Sequence, residues 1–354
     1  MRPNCWAGWP DGVKGMKARI VSNQTPVGQR AVLGEALPLA TPYLVQVFPV
    51  YACNFKCNYC IFAVPKPERG YISDRKFMDV DLYRKCIDDL GAFPEPLRML
   101  RFAGTGEPLL HPHLPDMIAY AAAAGVARSI DIVTNGALLT PELSRRLVDA
   151  GVSRIRVSIQ GVNAGKYRQT TQIFDDHERI VDNVSYLHGI KGNVQIYVKI
   201  IDSALDSPED EQTFYRQFGD IADMVAVEHL LPATPLLDYT RIRGGAAMDR
   251  TQNGALVART NICPQPFYML QINPDGIAVP CCAMESPVRL AQMADTPISA
   301  VWHGETLNVL RRLLLSGRRA DNGVCAKCEQ FRFAMFPEDV LDEYALPLLD
   351  AYAT

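Results

Sequence analysis

The sequence predicts an α/β protein: a parallel barrel, complete or open, followed by a small metal-stapled unit. Two observations carry this. Between residues 44 and 230, short apolar β-type runs alternate about six times with helical stretches. Beyond Cys263 that alternation gives way to an apolar segment, a Pro274-Asp275-Gly276 turn and clustered cysteines. The composition of the 354-residue chain, 48% hydrophobic and 21% charged, suits a globular protein with a substantial core and excludes collagen-like, coiled-coil and wholly disordered architectures.

In chain order, residues 1–41 carry Pro and Gly with little periodicity and read as an irregular lead-in. The barrel is expected over 42–232. Its strands are LVQVFPV (44–50), MLRF (99–102), SIDIVTN (129–135), RIRVSIQG (154–161), VQIYVKI (194–200) and ADMVAVEHL (222–230). Helices are expected around 79–92, 115–124, 141–150, 176–188 and 208–218, the third opening on a Thr140-Pro141-Glu142 cap. In such a barrel the loops at the C-terminal strand ends carry the chemistry. A turn-rich linker (233–260) leads to the cysteine unit (261–332), and the last segment (333–354) reads as a helix around 337–352.

Charge and hydropathy narrow the partners. With 36 Lys+Arg against 39 Asp+Glu the net charge is −3, so no nucleic acid or anionic membrane partner is expected. No run approaches the roughly 18 consecutive apolar residues that a spanning helix needs, and the N-terminus lacks the apolar core of a signal peptide. A cytoplasmic protein is expected, and in a reducing compartment its ten cysteines read as metal ligands sooner than disulfides.

Cys53, Cys57 and Cys60 stand on one tight loop after the first strand, with no fourth Cys or His close by. Three thiolates leave one iron of a four-iron cluster open to a substrate or cofactor, whereas a structural zinc needs four closed ligands. The competing reading is a zinc loop completed from a distance. One strand later comes Gly104-Thr105-Gly106-Glu107-Pro108. The second set, Cys263, Cys281, Cys325 and Cys328, has intervals of x17, x43 and x2, with Cys282 beside it; a zinc ribbon is the bland alternative there.

The C-x3-C-x2-C loop, with the aromatic Tyr59 before its last Cys, resembles that of the radical S-adenosylmethionine (radical SAM) superfamily, and the resemblance covers residues 42–330. It implies a partial (β/α)6 barrel in which a [4Fe-4S] cluster on Cys53, Cys57 and Cys60 chelates SAM, whose reductive cleavage yields a 5′-deoxyadenosyl radical. Gly104, Thr105, Gly106 and Glu107 then stand where the family contacts the SAM ammonium, with Thr105 replacing a Gly. Asn135, Ser158 and Gln160 resemble the ribose and carboxylate contacts. The later cysteines resemble a twitch domain, a shortened SPASM domain, with one auxiliary [4Fe-4S] cluster on Cys263, Cys281, Cys325 and Cys328. Five cysteines there are too few for two clusters.

Further assignments follow. Glu228 and His229, at the end of the last strand, are candidates for the base that takes a proton from a substrate radical. Arg168 is assigned to cofactor binding and, with Lys199, to an anionic or polyol substrate, while His111 and His113 cap a helix. The expected reaction is dehydrogenation of a secondary alcohol of a sugar or aminocyclitol, with the auxiliary [4Fe-4S] cluster as electron acceptor. The alternatives are an epimerase using Cys282 as hydrogen donor, a modifying enzyme acting on a ribosomal peptide, and a non-catalytic zinc protein. A reductase with flavodoxin, or a ferredoxin, is the expected electron donor.

Overall fold

A computed structural model describes residues 16–21, 30–173, 176–245 and 247–353. Cys5 and most of the lead-in lie outside these residues. Ten strands form one sheet in the order β1-β7-β6-β5-β4-β3-β2-β8-β9-β10. They are β1 (Arg19–Ile20), β2 (Leu44–Val47), β3 (Met99–Phe102), β4 (Ile130–Thr134), β5 (Arg154–Ile159), β6 (Gln195–Ile201), β7 (Met224–Glu228), β8 (Met269–Ile272), β9 (Ile277–Val279) and β10 (Ala291–Gln292). From β2 to β7 every neighbour is parallel and in sequence order, which is the six-strand partial barrel.

Helices between these strands bury one apolar face against the sheet. Those that matter here are α1 (Val80–Leu90), α2 (Leu114–Ala124), α3 (Pro141–Asp149), α4 (Ala164–Thr171), α5 (His177–Ile190) and α6 (Pro208–Phe218). Their starts are written in the sequence. Asp79 accepts from the Asp81 and Leu82 amides, Thr140 from Leu143 and Ser207 from Asp210, each satisfying helix N–H groups that have no partner within the helix. Val45, Val47, Leu100, Phe102, Ile132, Ile155, Val157, Val198 and Val225 form the layer under the helices. Alternation then turns Gln46, Arg101, Asp131, Arg154 and Arg156 to the opposite, lumen side.

Four expectations need correction. The lead-in is not wholly irregular: β1 pairs in parallel with β7, extending the sheet by a seventh barrel strand. Helix α4 was not foreseen, because AGKYRQTT mixes Gly and two Thr with few apolar residues and carries no 3.6-residue stripe. The expected C-terminal helix breaks into single turns at Pro337–Asp339 and Asp342–Tyr344 before a helix at Ala345–Ala351. Side chains compete with the helix there: Asp339 accepts from the Phe336 amide and from Arg30, and Asp342 accepts from Thr260. Finally, the cysteine unit is not separate from the barrel sheet, since β8 pairs in parallel with β2 over four residues.

Candidate active site

The cysteine loop leaves β2 and is pinned by the end of α4. The Lys56 and Asn58 amides donate to the Thr171 and Thr170 carbonyls at 3.0 and 2.9 Å. Gln172 closes that helix in the left-handed region, φ 66°, its amide returning to the Arg168 carbonyl. Tyr59 donates its hydroxyl to Gln160 Oε1 at 2.5 Å, and Asn135 Nδ2 donates to Asn54 Oδ1 at 2.8 Å and faces Cys53 Sγ at 3.9 Å. The ends of β4 and β5 and the end of α4 are thereby tied to one loop.

All three thiols are pushed up by burial, Cys53 to about 12, and neighbouring anionic groups add to the rise at Cys53 and Cys57. Crowded buried thiols are unfavourable as thiolates unless a cation shares them, so this donor set fits a metal cluster and is costly otherwise.

The glycines of Gly104-Thr105-Gly106-Glu107 are demanded by close approach. Gly104 adopts φ 140°, and a Cβ there would strike the Phe48 ring. One on Gly106 would strike the Val50 carbonyl oxygen and come within 2.7 Å of that of Ala52. Glu107 is buried, and its carboxylate accepts from Thr134 Oγ1 (2.7 Å), the Asn135 amide (2.7 Å) and the Leu109 amide (3.0 Å). Burial pushes it up to about 7, against the pull of those three donors. The carboxylate expected to face an ammonium is thus first of all the clamp between the ends of β3 and β4.

A cavity of about 690 Å³ opens beside this loop, lined by Tyr59, Cys60, Ser158, Gln160, Lys199, Glu228 and His229, with Gln252 and Met284 closing it. Glu228 accepts from Tyr197 (3.0 Å), Lys199 (2.7 Å) and Gln252 (2.5 Å). Burial would raise it, but the Lys199 ammonium and the other donors hold it below its usual range, so it stays ionised and engaged. His229 Nδ1 lies 2.9 Å from Asp202 Oδ2. Burial would likewise raise Asp202, but His229, the Leu230 amide and Arg243 at 3.2 Å hold it low. An ionised Asp202 fixes the imidazole with a proton on Nδ1, leaving Nε2 as the basic nitrogen.

The second thiol set surrounds a separate cavity of about 440 Å³, lined by Cys263, Cys281, Cys325 and Cys328 together with Arg319 and Phe331. Arg319 donates to the Cys325 carbonyl and, at 2.9 Å, to that of Cys328. Burial raises all four thiols, Cys325 to about 11. Among the described residues no three His, Cys, Asp or Glu side chains gather at single-ion distance. Four thiols around one cavity are a donor set that suits a cubane cluster. Cys282 does not line this cavity; its amide and thiol go to Gln265 Oε1 at 3.1 and 3.5 Å.

Comparison with known proteins finds two domains. Residues 47–205 match the radical SAM superfamily, and residues 263–329 match SPASM, an iron-sulfur cluster-binding domain. The chain carries a radical SAM domain followed by a SPASM domain. Its two domains imply SAM and [4Fe-4S] clusters. Among curated relatives, a tungsten-containing aldehyde ferredoxin oxidoreductase cofactor-modifying protein of Pyrococcus furiosus is 38% identical over 107 residues, 30% of this chain and 28% of that protein. A GTP 3',8-cyclase of Nostoc is 31% identical over 128 residues, 36% of each. The matched stretch is thus about a third of those relatives' length. Among solved structures, BtrN in complex with AdoMet and 2-DOIA aligns with a TM-score of 0.55 at 18% identity, covering 83% of this chain and 98% of BtrN. Streptococcus suis SuiB bound to S-adenosylmethionine aligns with 0.59 at 13%, covering 85% and 74%. At these identities the likeness is one of fold.

The radical SAM motifs and the later cysteines occupy two places, and the structure brings the remaining predicted residues together unevenly. Ser158, Gln160, Lys199, Glu228 and His229 share the larger cavity. Arg168 is exposed on α4 and lines neither cavity. Sequence reasoning missed Asp202, Gln252 and Met284. Asp202 stood just beyond a strand end, which was a usable signal; Gln252 lies in the segment read as a linker, which instead folds over the barrel mouth, with Tyr239 donating to the Tyr59 carbonyl at 3.0 Å.

Proposed function

We propose that this radical SAM enzyme dehydrogenates a secondary alcohol of a sugar or aminocyclitol, with His229 as the base. The observation that carries the reading is the Asp202-oriented His229 on the same cavity wall as Cys60 and Tyr59. Loss of two hydrogens from an alcohol needs a hydrogen-atom acceptor, a proton acceptor and an acceptor for one electron. When bound, the two clusters and SAM supply a 5′-deoxyadenosyl radical and the electron acceptor. His229 Nε2 takes the hydroxyl proton, and Asp202 offsets the imidazolium that results.

Cys53, Cys57 and Cys60 hold the first cluster in this reading, and Cys263, Cys281, Cys325 and Cys328 the second. Tyr59, the Gly104–Glu107 turn, Asn135, Ser158 and Gln160 form the cofactor wall, with Tyr59 bonded to Gln160 and the Asn135 amide to Glu107. Lys199, Glu228 and Gln252 offer alternating donors and acceptors suited to a polyol. The epimerase alternative is less well supported, because Cys282 is not among the residues lining that cavity and its thiol is engaged by Gln265. A peptide substrate remains the second reading by fold alone, SuiB having been solved bound to the precursor peptide SuiA. The electron donor is proposed to be a ferredoxin, or flavodoxin with its reductase, in the cytoplasm; no described helix is long and apolar enough to cross a membrane.

The test is an anaerobic incubation of reconstituted enzyme with SAM, reductant and a panel of sugars and aminocyclitols. Formation of 5′-deoxyadenosine matched by a product two mass units lighter is the expected result. Incorporation of one solvent deuterium without net oxidation would overturn the dehydrogenase in favour of an epimerase.

A further inference from the structure

The four-thiol cavity is walled mostly by apolar groups, among them Pro266, Pro287, Leu314 and Phe331, with the neutral amides of Gln265 and Gln330. Thiols aside, the one charged side chain among its described lining residues is Arg319. A charge in such a wall is felt strongly, because little polar material or water screens it.

Arg319 is held from several sides. It stands in the single turn Arg319–Asp321, ahead of the short helix Gly323–Lys327 that carries Cys325 and ends at Cys328. Its Nη1 donates to the Cys325 carbonyl and, at 2.9 Å, to that of Cys328. Carbonyls at a helix end are short of donors within the helix, so one guanidinium nitrogen serves both. The guanidinium carbon lies 4.9 Å from the centroid of the buried Phe331 ring, and Nη2 lies 3.7 Å from Glu329 Oε1. The arginine side chain is 12% exposed and that of Glu329 45%, so the cation faces protein while its counter-charge is partly in water. Burial raises the Cys325 and Cys328 thiols; Arg319 opposes that rise at both, and Glu329 adds to it at Cys328.

We propose that Arg319 is a positioning residue that raises the redox potential of the auxiliary cluster, by fixing a shielded cation to the loop that holds two of its four ligands. Four thiolates leave a [4Fe-4S] cluster anionic, and an added electron makes it more so. A neighbouring cation therefore stabilises the reduced state more than the oxidised one. The inference rests on the four-thiol cavity holding the cluster and deepens the acceptor role proposed above: the higher the potential, the more favourable the uptake of the electron left on the deprotonated substrate radical.

The experiment is a redox titration, followed by electron paramagnetic resonance, of anaerobically reconstituted full-length protein holding both clusters. The couple that survives in Cys57→Ala marks the auxiliary cluster. Arg319→Met is expected to lower its midpoint, so that at the parent's midpoint the ratio of reduced to oxidised cluster falls about tenfold, 59 mV for one electron. Arg319→Lys keeps the charge without the guanidinium fork and stays within about threefold of the parent. Glu329→Gln removes the counter-charge and shifts the ratio the other way, by about threefold, since water screens that carboxylate in part. The SAM-site couple does not move in any of the three. Loss of a merely structural clamp raises no potential, so the upward shift is the decisive sign. The proposal is overturned if Arg319→Met, with the parent's iron content, keeps the parent's midpoint. It is equally overturned if Arg319→Lys falls as far as Arg319→Met, or if Glu329→Gln leaves the midpoint in place or lowers it. Should Arg319→Met not hold the auxiliary cluster, Arg319→Lys and Glu329→Gln decide by the same signs. Parent protein with only about four iron, and none left in Cys57→Ala, defeats the cluster assignment itself, so that failure is distinguishable from an unmoved potential.

Discussion

Glu107 is held by three donors and yet disfavoured as an anion, because burial outweighs them and lifts it from an ordinary 4.5 to about 7. Its folded value lies above its unfolded one, so the folded state binds the extra proton, and Glu107's contribution is greatest below the unfolded value and is lost as pH rises through about 7. Between pH 5 and 8 the protein without clusters or SAM is expected to lose on the order of 3 kcal/mol from this group. Glu107→Gln should flatten that slope in pH-dependent urea unfolding; an unchanged slope means Glu107 is ionised throughout. The dyad gives a second prediction. His229→Gln should cut ketone formation by about 10²–10⁴-fold while 5′-deoxyadenosine still forms. Asp202→Asn should do so less severely and shift the pH profile of product formation, which loss of a merely structural contact leaves in place. Equal rates in parent and His229→Gln would remove the histidine from the reaction.

At the scale of elements, the loop-bearing strand ends depend on two glycines and one unforeseen helix. Gly106→Ala puts a methyl group into the Val50 and Ala52 carbonyls, both backbone, so the cysteine loop itself must shift. Reconstituted Gly106→Ala is expected to hold about half the parent's iron, the four-thiol site remaining loaded; full iron content would show that the loop tolerates the shift. Gln172→Gly relieves a left-handed side chain at the end of α4 and should stabilise by about 0.5–1 kcal/mol in denaturant unfolding. Much of this level was legible. The strands β3 to β7, the cap at Thr140 and both cysteine patterns follow from alternation, cap chemistry and spacing. What was not legible depended on tertiary partners: α4 has no apolar stripe of its own, β1 is two residues recognisable only by its pairing with β7, and the 233–260 segment shows its role only where Gln252 reaches Glu228.

For the molecule as a whole, the pairing of β8 with β2 decides how the two cluster sites depend on each other. Gln46 on β2 donates to Gln271 on β8 at 2.6 Å, and Gln271 donates to Asn273 at 2.8 Å, so the seam is bonded through side chains as well as backbone. The cysteine loop leaves one side of that seam, and the hairpin leading to Cys281 leaves the other. Thr105 of the glycine turn also donates to Met284, three residues beyond Cys281, at 3.2 Å. A chain whose two sites share one sheet is expected to unfold as one unit. Reconstituted parent protein is expected to hold about eight iron and eight sulfide and to melt in one transition, with visible cluster absorption and far-ultraviolet ellipticity lost together. Cys57→Ala and Cys325→Ala should each keep about four iron, from opposite sites. Cys325→Ala should in addition lower the melting temperature at which the remaining SAM-site cluster is lost, because a metal staple contributes folding free energy to the sheet that both sites share. If that cluster melts at the parent's temperature, or the parent melts in two separated steps, the seam between β2 and β8 does not couple the sites, and the SPASM region folds as an independent domain.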